Sequence, residues 1–120
     1  WIPTPHLPHG WDAGVLFDEG NRVLFCSDLF HQLGQLEPIT RADVVGRWDQ
    51  AIATYQNHPV LMDYVPFTPH TRRHMQRLAP LKPQVLAAMH GSTLVGDGAE
   101  AFRLAADVLE RRLGAPLAVR

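Results

Sequence analysis

The 120-residue chain is 46% hydrophobic and 19% charged, with a formal net charge of −1, the profile of one globular domain able to bury its own core. Near-neutral charge without a basic stripe argues against nucleic acid as a partner, and no run of about 18 apolar residues offers a membrane span. No charged segment leads into an apolar one at the N-terminus, and Cys26 is the single cysteine. Neither a signal peptide nor an internal disulfide is therefore expected, and the expected compartment is the cytoplasm.

The elements alternate in type along the chain. Gly14 to Asp18 and Arg22 to Ser27 are short apolar runs around Glu19-Gly20-Asn21, which predicts a β-hairpin with Asp28 closing its second strand. From Thr40 the period changes. Val44, Val45, Trp48, Ile52 and Tyr55 fall at helical spacing, with Thr40 and Asp43 resembling a capping box and an end near Asn57-His58, before Pro59. Thr68-Pro69 predicts the start of a shorter helix to about Leu78, with Arg72, Arg73 and Arg77 on a basic face. Gln84 to Met89 reads as a strand ending at His90-Gly91-Ser92. The last helix spans about Gly98 to Leu113, with Phe102, Ala105, Ala106, Leu109 and Leu113 as its stripe and Gly114 and Pro116 as its stop. Strands interleaved with amphipathic helices predict an α/β layered domain.

Three side chains stand at loop or strand ends, where groups leave a sheet and can converge: His9, Asp28 and His90. Imidazole nitrogen with carboxylate oxygen suits zinc, iron or manganese. Seven histidines in one domain will also place some at strand ends by chance. His70 and His74 have the i, i+4 spacing of a helical metal pair, but Arg72 and Arg73 beside them would repel a cation, so a solvated basic face is expected. His58 reads as loop punctuation. His31, just past Asp28, is a candidate proton donor or supporting group for the same pocket. Cys26 is expected to be buried and inert, and Trp11, beside His9, to shield the site.

The stretch HGWDAGVLFDEGNRVLFCSDLF followed by LKPQVLAAMHGS resembles the C-terminal half of a metallo-β-lactamase-fold domain, most closely its flavodiiron-like, oxygen-binding diiron branch. In that family a histidine with a tryptophan-containing turn precedes a hairpin, an aspartate follows it, and a last histidine precedes glycine. His9 with Trp11, Asp28 in LFCSDLF and His90 in AMHGS match in order and type, and the spacing favours His9 over His6 as the ligand. The resemblance covers about residues 3 to 113. The family's upstream H-x-[HED]-x-D-H motif, which supplies the remaining ligands, does not occur in these residues.

The resemblance implies that residues 1–120, which begin at Trp1 rather than at methionine, are the C-terminal portion of a four-layer αββα sandwich whose N-terminal metal-binding half is elsewhere. It implies two divalent metal ions in the complete protein, iron or zinc, with His9 on one, His90 on the other and Asp28 bridging them; the diiron branch favours iron. Zinc would give hydrolysis of a small-molecule substrate and iron would give oxygen chemistry. The isolated chain is expected to be inactive and to seek its missing half or a second copy of itself. The competing expectation is a non-catalytic binding or structural module that kept the fold with one metal or none.

Overall fold

A computed structural model describes residues 1–114, and Pro116, the expected helix stop, lies outside the described residues. The order is β1 (Ile2–Pro3), β2 (Gly14–Asp18), β3 (Val23–Phe25), β4 (Ile39–Thr40), α1 (Val44–Gln56), α2 (Thr71–Leu78), a 3₁₀ turn (Ala79–Leu81), β5 (Val85–Ala87), β6 (Thr93–Val95) and α3 (Gly98–Leu113). Six strands form one mixed sheet in the order β1-β2-β3-β5-β6-β4. The β1–β2, β2–β3 and β5–β6 pairs are antiparallel, while β3–β5 and β4–β6 are parallel. This is the expected α/β class. Among the described residues no helix is long and apolar enough to cross a membrane.

The hairpin forms where the turn signal predicts it, with a shorter second strand. Arg22 has φ of +56°, a left-handed conformation that cannot continue a strand, and its guanidinium donates to the carbonyls of Leu81 and Lys82. Pairing therefore starts at Val23. Thr40 is not a helix cap: it belongs to β4, and its hydroxyl accepts from the Ala42 amide at 3.0 Å. The cap of α1 is Asp43, whose Oδ1 accepts from the Gly46 amide at 2.8 Å, satisfying one of the free amides of the first turn. Thr68 folds back on Thr71 and His70 instead of capping directly, so α2 begins at Thr71.

The helices bury one face of the sheet. Val15, Leu24, Leu86 and Leu94 lie in a single core with Val44, Val45, Trp48 and Ile52 of α1, Met75 and Leu78 of α2, and Phe102, Ala105 and Leu109 of α3. Phe30 sits between Trp48 and Phe102, with ring centroids 5.4 and 5.3 Å away, and such aromatic pairs add about 0.5–1.5 kcal/mol each to the area buried. Arg111 and Arg112 both reach Asp49, tying the end of α3 to α1. The basic face of α2 is ion-paired where it meets α3, since Arg72 binds Asp107 and Glu110.

The opposite face is also apolar. Leu16 pairs with Phe25, Phe25 with Ala87, Val23 with Val85 and Val85 with Val95. None of these joins the core, and Leu16 and Phe25 are each 49% exposed.

Candidate metal centre

Parallel pairing of β3 with β5 places the segments that follow these two strands side by side, which brings Asp28 to His90. The Cys26 amide donates to the Ala87 carbonyl at 2.9 Å, the Met89 amide to Ser27 at 3.0 Å and the Gln32 amide to His90 at 2.8 Å. Between these bonds the chain turns sharply around Asp28. Ser27 and Phe30 have φ of +53° and +60°, a conformation that costs a non-glycine residue about 1–2 kcal/mol and that burial of Leu29 and Phe30 in the core holds in place. Asp28 thus lies beyond the end of β3, in a strained turn, where the sequence places it at the strand's close.

His9 arrives from the other side, on the loop between β1 and β2. That loop is closed by bonds from Thr4 to Ala13, His6 to Gly10 and Leu7 to Thr4, by the Thr4 hydroxyl donating to the Leu7 carbonyl at 3.0 Å, and by burial of Leu7. His9 Nε2 donates to Asp28 Oδ2 at 2.7 Å. His90 Nε2 lies 3.1 Å from Oδ1 of the same carboxylate. The three residues expected from sequence therefore meet, and each imidazole takes its own oxygen of Asp28. A cavity of about 250 Å³, bounded by Trp1, Gly10, Asp12 and Ser27, opens against His9 and Asp28.

His6 is exposed and turned through φ of +63°. His58 accepts the amides of Val60 and Leu61, so it shapes its own loop. His70 and His74 take no part in the site; His74 lies 3.3 Å from Arg77. Trp11 does not shield the centre, being 77% exposed. Its expected place is taken by Tyr64, whose ring is 4.6 Å from that of His9. Cys26 is fully buried, and burial pushes its thiol well above the usual range, which keeps it inert.

Several residues at the centre were not singled out from sequence. Gln32, nearly fully buried, donates from Nε2 to the Phe30 and Ser92 carbonyls, both at 3.1 Å, and accepts the Ser92 amide at 3.2 Å. Arg47 of α1 reaches Gln32 Oε1, Ser92 Oγ and Glu37. Its guanidinium holds the Glu37 carboxyl down at about 2. This network locks the loop bearing His90 to the segment bearing Asp28. Gly91 lies between them at φ of +131°, and a Cβ there would stand 2.7 Å from the Gln32 side chain.

His31 bonds through Nε2 to the Tyr55 hydroxyl at 2.6 Å, and its ring is 5.0 Å from that of His90. Burial and the neighbouring His90 keep His31 below the ordinary histidine value, against the attraction of Asp28. Tyr55 and Tyr64 are raised, chiefly by burial and then by the charge of Asp28, so both stay phenols near neutral pH.

One carboxylate thus faces two imidazoles, one on each of its oxygens. Among the described residues, no group of three or more His, Cys, Asp or Glu side chains is placed so that it could hold a metal ion. No family model, curated protein or solved structure matches the chain.

Proposed function

We propose that the chain is the C-terminal portion of a metallo-β-lactamase-fold domain and carries half of a dinuclear metal centre, with His9 and His90 as terminal ligands and Asp28 as the bridge. The observation that carries this reading is the single Asp28 carboxylate with one oxygen on each of two imidazoles from distant segments. A bridging carboxylate holds two cations about 3.5–4 Å apart. Such a pair, when bound, supplies a hydroxide nucleophile with zinc or a binding site for oxygen with iron. In this reading the chain's own residues orient the ligands: Gln32 and Arg47 fix the His90 loop, and Tyr64 packs on His9. A cytoplasmic enzyme acting on a small molecule or on oxygen follows, inactive without the other half of its ligand set.

The bare apolar sheet face supports the fragment reading, because a second sheet from an N-terminal half would cover it; a homodimer is the alternative cover. The missing ligands would come from an upstream H-x-[HED]-x-D-H segment in the full-length protein.

Elemental analysis of the full-length protein tests the centre. Wild type is expected to hold two metals, Asp28→Asn less than one, and His9→Ala and His90→Ala to weaken one site each by tenfold or more. His6→Ala should leave metal content unchanged. Two retained metals and full turnover in Asp28→Asn would remove the bridge. The lack of a three-donor cluster among the described residues favours the second reading, a binding module with one metal or none. That reading predicts metal content below two in wild type.

A further inference from the structure

A cavity of about 530 Å³ lies away from Asp28 and shares no lining residue with the one beside His9. Its walls are α2 with the 3₁₀ turn on one side and α3 on the other. The Gly98 amide donates to the Pro83 carbonyl at 2.9 Å, which sets the end of the turn beside the start of α3. The ion pairs of Arg72 set the start of α2 beside Asp107 and Glu110. The walls are thus held together at both ends. Between these ties α3 presents Ala99 and Ala106 to either side of Phe102, small side chains that leave the gap unfilled. Met75, Phe102 and Ala106 line the cavity and belong to the core, so its floor is apolar. A space of several hundred Å³ with an apolar lining and a few convergent polar groups is the usual form of a small-molecule site.

The mouth is cationic. Arg72, Lys82 and Arg103 line it, with Asp107 as the one carboxylate. Arg72 is neutralised by Asp107 and Glu110, and Arg103 pairs with Glu100. Lys82 forms no ion pair among the described residues. It closes the 3₁₀ turn at φ of +50°, a conformation that favours glycine. Its amide donates to Ala79 at 3.0 Å and its carbonyl accepts from Arg22 at 3.1 Å, so its backbone is fixed on both sides. The turn therefore brings one unpaired, exposed lysine to the rim of an apolar cavity.

We propose that this cavity binds a medium-chain monocarboxylate, with its hydrocarbon chain against Met75 and Phe102 and its head group at Lys82. Burial of the chain supplies most of the affinity, and the lysine selects an anion over a neutral or cationic head. Nothing in this pairing depends on the metal centre.

The test follows the ¹³C-labelled methionine methyl signals of the full-length protein, with octanoate as the probe. Met75 lines the cavity, whereas Met62 and Met89 are exposed and lie outside it, so octanoate should move Met75 and leave the other two in place. Octanoate should bind about fourfold tighter than heptanoate, the effect of one buried methylene, and tighter than octanol or octylammonium. Lys82→Met should weaken octanoate about fivefold, as the loss of an exposed ion pair does at most, and leave octanol unchanged. Lys82→Arg should stay within about twofold of wild type. Ala79→Leu, which fills the cavity from its half-buried wall, should abolish the Met75 response to both ligands. No Met75 shift at about 10 mM octanoate, enough to fill a site with a Kd of about 1 mM, overturns the proposal and leaves the cavity to a partner protein. Octylammonium binding as well as octanoate, or unchanged octanoate affinity in Lys82→Met, overturns the assignment of an anion. Equal shifts at Met62 and Met89 would mark non-specific adsorption and overturn the site itself. Lys82→Met changes an exposed side chain, so the outcome stays decisive if Ala79→Leu fails to fold.

Discussion

The two faces of the sheet have nearly the same chemistry and opposite surroundings. On one, Leu24 and Leu86 are buried in the core with residues of three helices; on the other, their strand neighbours Phe25 and Val85 lie outside that core. A strand covered on a single face normally alternates apolar with polar residues, whereas near-continuous apolar strands belong to sheets covered on both sides. VLF and VLA are strands of the second kind, while GVLFD and TLV place Asp18 and Thr93 on the exposed face. The exposed face, with Ile39 at its margin 65% exposed, is more apolar than a solvated sheet face usually is.

The sharpest way to break this comparison is to damage the covered face. Trp48→Ala removes a fully buried ring that contacts Phe30 and should cost about 3–5 kcal/mol in urea unfolding. A loss below about 1 kcal/mol would mean that the helices are not the main support of the sheet. Gly91→Ala comes next, at about 1–3 kcal/mol, because Gln32 is held by too many bonds to give way. Leu16→Lys with Phe25→Glu, which keeps the cross-strand pair free of like charges, should change the unfolding free energy of the isolated chain by less than about 1 kcal/mol. The same pair should abolish association with the N-terminal half or a second copy in sedimentation; a wild-type chain that stays monomeric and binds no upstream peptide would count against an interface there.

The smallest effect depends on pH. Glu37 is depressed from 4.5 to about 2 by its bond to Arg47 and then by Thr40. A carboxylate with a lowered folded value binds fewer protons in the folded state, so its stabilisation is present above about pH 4.5 and fades as pH falls toward 2. The stability gap between wild type and Glu37→Gln should close over that window, and added salt should narrow it at every pH, since both partners are partly exposed. A gap that persists at pH 2 would assign the effect to packing.

The hairpin, α1 and α3 were legible because each has a local signal, a turn tripeptide or a helical period, whereas the meeting of His9, Asp28 and His90 was expected from their places at loop and strand ends together with the family resemblance, which alone preferred His9 to His6. β1 and β4 have two residues each and β6 three, too short for any period to register, and they exist only because neighbouring strands pair with them. The Gln32–Ser92–Arg47 network has no local signature, since its bonds span 60 and 45 residues. Tyr55 was legible as the last residue of an apolar helical stripe, yet it is half-buried with its hydroxyl on His31. Periodicity identifies the face of a helix but not the point along it where core gives way to site.

The pairing of β3 with β5 has a dynamic consequence. The amides of Cys26, Met89 and Gln32 each cross from one half of the centre to the other, so none can exchange with solvent deuterium while those two strands stay together. Parting them opens the middle of the sheet, which is unfolding of the whole domain rather than fraying of a loop. Deuterium uptake at these three amides is therefore expected to report global opening, and the centre should disappear in one step with the fold.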